Sequence, residues 1–400
     1  MDNFYLSNIT PLFYVECLAD LEKQMRSNST PEQLVGSLAD RTPEAQGMPN
    51  VHHVSILHGE LSRQFDLSKV HGRVAVAGGE PVQLGDKKGF VFRRTPEAEA
   101  FERWANREFL EVERNLAKQW RRALTGVDLN AMSRSVLSEL GHWRRPKDLK
   151  DAKHLADTII DNMDPEWLLR FGLDLLGVPE ATDLVMQDWI SRRRPPLREH
   201  LPYFIFMLTI NIFFCLVLPT QLLRNVKPSH QIDLAYLYYL PFCSIFTSKD
   251  NFHVQVAPLF LNENQQFING TEFKEDLKRL NEFYSAIPED VRKTGLINFA
   301  AYPPEDTGYI VTRMWDHFLP RWRAGKSQPK PERDPEEDKR LLEELNRLSD
   351  DTLPAHDERD IDNVEYAQVT RMVLPKKGKW FRFSEDQIKR MYENKAKQSD

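Results

Sequence analysis

The stretch HQIDLAYLYYLPFCSIFTSKDNFH, His230 to His253, decides how this chain is read. It sets one carboxylate, Asp233, at the mouth of an apolar helical pattern carried by Leu234, Leu237 and Tyr238. A second, Asp250, comes directly after the uncharged run CSIFT. A carboxylate is comfortable near the positive end of a helix, so a plain N-cap accounts for Asp233 as well as a ligand does. The run CSIFT, bounded by turn residues, predicts a buried strand of a parallel sheet. Asp250 then falls at the carboxyl end of that strand, the edge at which open α/β sheets bind ligands. Buried or half-buried acids are costly unless a hydrogen bond, an ion pair or a metal offsets them, and the third option makes this stretch an active site.

Working outward, Leu201 to Leu218 reads LPYFIFMLTINIFFCLVL, long enough to cross a bilayer. Its flanks are similarly basic, with Arg192, Arg193, Arg194 and Arg198 before it and Arg224 and Lys227 after it, and Thr209 and Asn211 lie inside it. We read it as the central helix of a core, because a helix apolar all round is as well suited to a protein interior as to lipid. Near the other end of the chain, Ile9-Thr10-Pro11 predicts a helix start, and Leu12, Val15, Leu18, Ala19 and Leu21 form its apolar face. Glu16 and Asp20 share a side of that helix, so Asp20 reads either as a further acid of the same site or as surface charge.

Between these ends the pattern is mostly helical. The segment HHVSILHGELSRQF predicts a helix, and GRVAVAGGEPVQLGDKKGFVFRR predicts short strands punctuated by glycine. One long charged amphipathic helix is expected over 96–123, with Phe101, Trp104, Leu110, Leu116 and Trp120 as a packing stripe rather than a base-stacking platform. Further helices are expected over 128–140, 149–162, 165–176 and 179–192. Residues 262–287 predict another, capped by Thr271. The Pro-rich, charged segment from 325 to 356 reads as a linker with one short helix, and VEYAQVTRMVLPKKGKWFRFS as a hairpin around Lys-Lys-Gly.

With 400 residues, two or three folding units are expected. A net charge of −6 leaves no global basic field to draw in nucleic acid, so any such contact must come from local patches. The 3 cysteines, Cys17, Cys215 and Cys243, are odd in number and sit in apolar surroundings, which predicts reduced thiols and a cytoplasmic location. The first residues lack a basic flank followed by a long apolar run, so export is not expected. His52, His53 and His58 share a helical face poorly for zinc, AVAGGEPVQLGDKKG lacks the ending of a phosphate-binding loop, and no Gly-x-Ser-x-Gly elbow occurs.

The order IDLAYLYYLPFCSIFTSKDNFH resembles the last part of a PIN-like nuclease domain, in which an Asp opens a helix, a short strand follows and a Ser/Thr-x-Asp step ends it. Ser248-Lys249-Asp250 fills that step. The segment ITPLFYVECLADL is similar to the early helix of the same family, with Glu16 in the place of its acid. The resemblance implies an α/β fold, a PIN-like parallel sheet flanked by helices, with a mostly helical insertion and a charged C-terminal extension. On that reading 1–34 and 195–324 are the two parts of the core, 35–194 is the insertion, and 325–400 is the linker and hairpin.

The same resemblance implies a metal-dependent nuclease that hydrolyses phosphodiester bonds, with Mg2+ or Mn2+ held by Glu16, Asp233 and Asp250. The family's first acid closes a first strand. Here only Asp2 precedes Glu16, so Asp2 is the fourth ligand, or the site works without it, or it is degenerate. RNA is the expected substrate ahead of DNA, no membrane is expected, and the insertion is a platform for a protein partner, a lid or a substrate guide. The basic stretches SRRRPPLR, WRR at 120–122 and HWRRPK at 142–147 are candidates for gripping a phosphate backbone or are solvated surface charge. The alternative is a PIN-like scaffold whose catalysis has decayed and which acts as a protein-interaction module.

Overall fold

The computed structural model describes residues 4–5, 10–13, 16–18, 30–41, 52–63, 79–84, 87–92, 100 and 103–326, the last stretch apart from 126–127, 142, 224–226, 229, 294 and 296–298. Asp2, Asp20, the short helix expected in the linker and the C-terminal hairpin lie outside the described residues. In chain order the elements begin with α1 (Pro31–Arg41), α2 (His53–Leu61), β1 (Gly79–Leu84), β2 (Lys87–Phe92), α3 (Glu111–Thr125) and α4 (Leu129–Leu140). Then come α5 (Leu149–Asn162), α6 (Pro165–Leu175), α7 (Thr182–Ser191), α8 (Leu197–His200), α9 (Pro202–Val217) and α10 (His230–Leu237). The remainder is β3 (Ile245–Ser248), α11 (Asn251–Val256), β4 (Gln266–Asn269), α12 (Gly270–Ser285), α13 (Glu289–Arg292), α14 (Ile310–Phe318) and α15 (Trp322–Lys326). The described chain is thus mostly helical with a two-stranded parallel sheet, which is compatible with an α/β class taken coarsely.

Two compact units form, one from Ser7–Gly78 and Thr95–Lys274 and the other from Met1–Leu6, Gly79–Arg94 and Glu275–Asp400. The first is built around α9. Between Tyr203 and Val217 every residue except Phe206 and Asn211 is buried, and α2, α4, α5 and α6 pack on the helix. That enclosure explains the uniformly apolar run: each face of the helix meets protein. No described helix is long and apolar enough to cross a membrane. The close fit has a sequence cost at Gly172 of α6, where a Cβ atom would lie 2.5 Å from the Phe204 ring and 2.9 Å from Leu208 Cδ2.

The helices around α9 start where short acids say they should. Asp128, Asp148 and Asp164 accept hydrogen bonds from the backbone N–H of Ala131, Asp151 and Trp167 at 2.9, 2.8 and 2.9 Å. At its own start α9 has no such residue, since Leu201 and Pro202 offer no side-chain acceptor. Its buried N–H groups are met from α2 instead: Glu60, 2% exposed, accepts from Tyr203 N at 2.9 Å and Phe204 N at 2.7 Å. The positive helix end and two charge-assisted hydrogen bonds let a carboxylate remain inside the core. The polar residues within α9 are also satisfied, Thr209 donating to the Ile205 carbonyl and Asn211 to the Met207 carbonyl and the Tyr238 hydroxyl.

Several local expectations are corrected. The long helix over 96–123 is broken, because Arg107 adopts a left-handed φ of 62° and α3 restarts at Glu111. Glu113, also buried, holds the break by accepting from the Trp104 indole at 3.0 Å, Arg103 at 2.7 Å and Leu110 N at 3.3 Å. Trp104 is buried as expected, but Leu110 and Leu116 are 42% and 55% exposed, so the packing stripe does not extend along α3. The helix over 262–287 begins only at Gly270, after the strand β4. β4 runs parallel to β3 in the register Ile245↔Gln266 to Ser248↔Asn269. β3 itself is half-buried with Thr247 exposed, rather than enclosed on both faces.

The second unit holds the antiparallel pair β1–β2, with Gly79 opposite Phe92 and Leu84 opposite Lys87. Its aromatic residues Phe4, Tyr284, Tyr302, Trp315 and Trp322 pack together, and the Trp315 indole donates to the Phe4 carbonyl at 3.0 Å. Asp276 of α12, buried, accepts from Val311 N at the start of α14.

Candidate functional site

α10 begins at His230, which places Asp233 in the first helical turn rather than at the cap. The helix end still favours its negative charge. Downstream, β3 ends at Ser248, whose hydroxyl accepts from Asp250 N at 3.1 Å; Asp250 in turn caps α11 by accepting from Phe252 N at 2.7 Å. The Ser248-Lys249-Asp250 step is therefore a tight turn at the carboxyl end of a parallel strand, with Asp250 exposed. Gly270, just beyond β4, is pressed against it. A Cβ there would stand 2.9 Å from Lys249 N and 3.0 Å from the Ser248 carbonyl carbon, both backbone atoms that cannot swing aside.

Two side chains tie the acid-bearing segments together. His253, 4% exposed, places Nε2 at 2.7 Å from the backbone carbonyl of Asp233 and Nδ1 at 2.9 Å from Ser248 Oγ. Tyr236, one turn along α10 from Asp233, donates its hydroxyl to Glu16 Oε2 at 2.6 Å, across 220 residues of sequence. Burial first and the Glu16 charge second hold the Tyr236 hydroxyl well above the ordinary phenol range, so it stays a donor.

The electrostatics register the convergence of the acids. Half-buried Asp233 has its carboxyl pushed up to about 7, by burial first, then by the charge of Asp250, then by that of Glu16. Among the described residues no donor or cation reaches its carboxylate. Glu16 and Asp250 thus each act on Asp233, while Asp2 lies outside the described residues. No group of three or more His, Cys, Asp and Glu among the described residues is placed to hold a metal ion jointly. Carboxylates are the donor type that a hard divalent cation takes, through one or two of them with several waters kept.

The basic stretches behave differently from the acids. Arg144 makes a bidentate pair with Asp151, both contacts at 2.5 Å; Arg192 pairs with Asp188 at 2.8 Å and Arg198 with Asp161 at 2.6 Å. These guanidinium groups are already neutralised on the surface of the same unit. A groove of about 400 Å³, lined by Lys153, Asp157, Arg198, Phe206 and Phe260 among others, is not lined by Glu16, Asp233 or Asp250.

His253, Tyr236 and Gly270 were not legible as site residues from sequence. Tyr236 had one usable signal, its position three residues from Asp233 on the same face of a helix. His253 stood out only as a residue in the helix that follows Asp250. No protein-family model, curated protein or solved structure matches this chain.

Proposed function

We propose that the chain is a PIN-like, metal-dependent nuclease that hydrolyses phosphodiester bonds, with RNA its substrate ahead of DNA. Glu16, Asp233 and Asp250 are the proposed ligands of Mg2+ or Mn2+, with Asp2 as the fourth. One observation carries the reading: the charges of Asp250 and Glu16, from separate segments, both raise the half-buried Asp233 carboxyl, and Tyr236 on the same helix as Asp233 holds Glu16 Oε2 at 2.6 Å. Acids drawn from distant segments are the donor type that a hard divalent cation takes. When bound, such an ion supplies an activated water and stabilises charge on oxygens at phosphorus. The chain's own part is to aim the oxygens: Tyr236 fixes Glu16, the cap at Phe252 fixes Asp250, and α10 presents Asp233. The same proposal carries a cytoplasmic location and a role for residues 35–194 in contacting a protein partner.

The decayed scaffold is the second reading. The lack of a joint three-ligand group among the described residues favours it. A nuclease assay on single-stranded RNA with increasing Mn2+, comparing the wild-type chain with Asp233→Asn, separates the two. The nuclease reading expects cleavage that falls a hundredfold or more in the variant. A wild-type chain that does not cleave at any Mn2+ concentration leaves the scaffold.

A further inference from the structure

α7 ends in a turn that helices usually build with glycine. The N–H of Arg193 donates to the Ile190 carbonyl and that of Arg194 to the Trp189 carbonyl, both at 3.0 Å, which folds the chain back over the last helical turn. This closure needs a left-handed backbone just past the helix, where glycine meets no steric penalty. α6 closes by the same two bonds, and there the position is held by Gly177, with φ 74°. In α7 it is held by Arg193, with φ 67°, and Arg194 follows in the same region at 54°. Two successive left-handed residues that carry side chains are strained, and strain of this kind concentrates where a chain binds something.

The other left-handed arginines of the described chain are explained by what their guanidinium groups reach. Arg63, φ 61°, pairs with Asp188 at 2.8 Å, and Arg107, φ 62°, pairs with Asp40 at 2.6 Å. Arg193 and Arg194 are exposed, and among the described residues neither pairs with an acid. Compensation of the helix end does not account for them. A cation serves that end from any backbone conformation, and Arg192 at the cap already supplies one. The turn is also fixed in place: the Trp189 indole donates to the Pro195 carbonyl at 2.8 Å, and the Arg194 guanidinium lies over the Trp189 ring at 5.6 Å.

We propose that Arg193 and Arg194 form a contact for the phosphodiester backbone of single-stranded RNA. An anionic partner follows from the two unpaired guanidinium groups, and the choice of RNA among anions rests on the nuclease reading. A guanidinium group meets a phosphate through two parallel hydrogen bonds, so a fixed turn carrying two of them takes hold of a backbone without reading its bases. With a net charge of −6 over the chain, the attraction is local to this turn.

The test measures binding of a fluorescein-labelled oligouridylate to the full chain by anisotropy, at a series of salt concentrations, with chelator present so that binding is read without cleavage. Thermal unfolding is followed on the same samples. Arg193→Gly combined with Arg194→Gly removes both cations and suits the left-handed turn, so the fold is retained. Arg193→Asn with Arg194→Asn, which also tolerates that region, gives a second pair in case glycine loosens the turn.

The proposal expects each paired variant to bind the oligouridylate about tenfold or more weakly at low salt, with a slope of log affinity against log salt shallower by about 1.4, the contribution of two single-strand phosphates. Folded variants that bind as tightly as wild type, with the same slope, show ordinary surface charge and overturn the proposal; cleavage in Mn2+, assayed separately, then decides the nuclease reading by itself. A wild-type chain that binds polyglutamate more tightly than RNA, and loses that binding in the paired variants, overturns the proposal in favour of an acidic protein partner. A wild-type chain that binds no RNA overturns it as well. RNA binding that falls in the variants while the wild-type chain never cleaves upholds the contact and removes the nuclease reading.

Discussion

Asp233 is where the physics of single residues is most exposed. Its carboxyl has an ordinary value of 3.8 and is pushed to about 7 in the folded chain. An acid raised in this way favours the folded state when protonated. The stability it contributes is fully present below about 3.8 and is lost as pH rises through about 7. In chelator-treated buffer, Asp233→Asn should equal wild type in stability near pH 4 and exceed it by about 2 kcal/mol at pH 8, after discounting for partial exposure. Urea unfolding at a series of pH values reads this directly, and a difference that does not change with pH contradicts it. Glu60 differs in its surroundings, because two backbone donors at the start of α9 meet its carboxylate. Glu60→Ala leaves those donors buried and unmet, and should cost about 2–4 kcal/mol in the same assay.

At the scale of elements, what was legible followed from local chemistry. α4, α5 and α6 are capped by the acids that precede them, and their boundaries fall within a residue or two of those expected. Two features were illegible because their cause is tertiary. The break before α3 depends on Glu113 meeting Trp104 and Arg103, a contact no periodicity displays. β4 is four residues long, QFIN, and exists by pairing with β3, so from sequence it merged into the amphipathic pattern of α12. Gly270 marks that junction. Gly270→Ala should force the Ser248–Asp250 turn outward, destabilise the chain by about 1–3 kcal/mol and weaken Mn2+ binding. A variant with wild-type stability and Mn2+ affinity contradicts the close contact. In α9, Phe213→Ala should cost about 3–5 kcal/mol, measured by denaturant unfolding, because the ring is fully enclosed.

At the scale of the molecule, sequence alone anticipated the core helix within Leu201–Leu218, legible because a long apolar run is expensive when misplaced and so announces what must surround it. The pairing of Glu16 with the Asp233 segment was expected only from the family resemblance, and the hydrogen bond from Tyr236 to Glu16 spans 220 residues. The supports of the site were hidden: a histidine between two backbones and a tyrosine on a glutamate are ordinary residues until folding brings their partners near. The central proposal is that Asp233 binds a cation together with Glu16 or Asp250. Anomalous diffraction from a crystal of the full chain soaked in Mn2+ tests it most directly. The account predicts a peak within coordination distance of Asp233 and one of the other two acids, lost in Asp233→Asn; a crystal with no peak there, or with its Mn2+ bound only elsewhere, contradicts it.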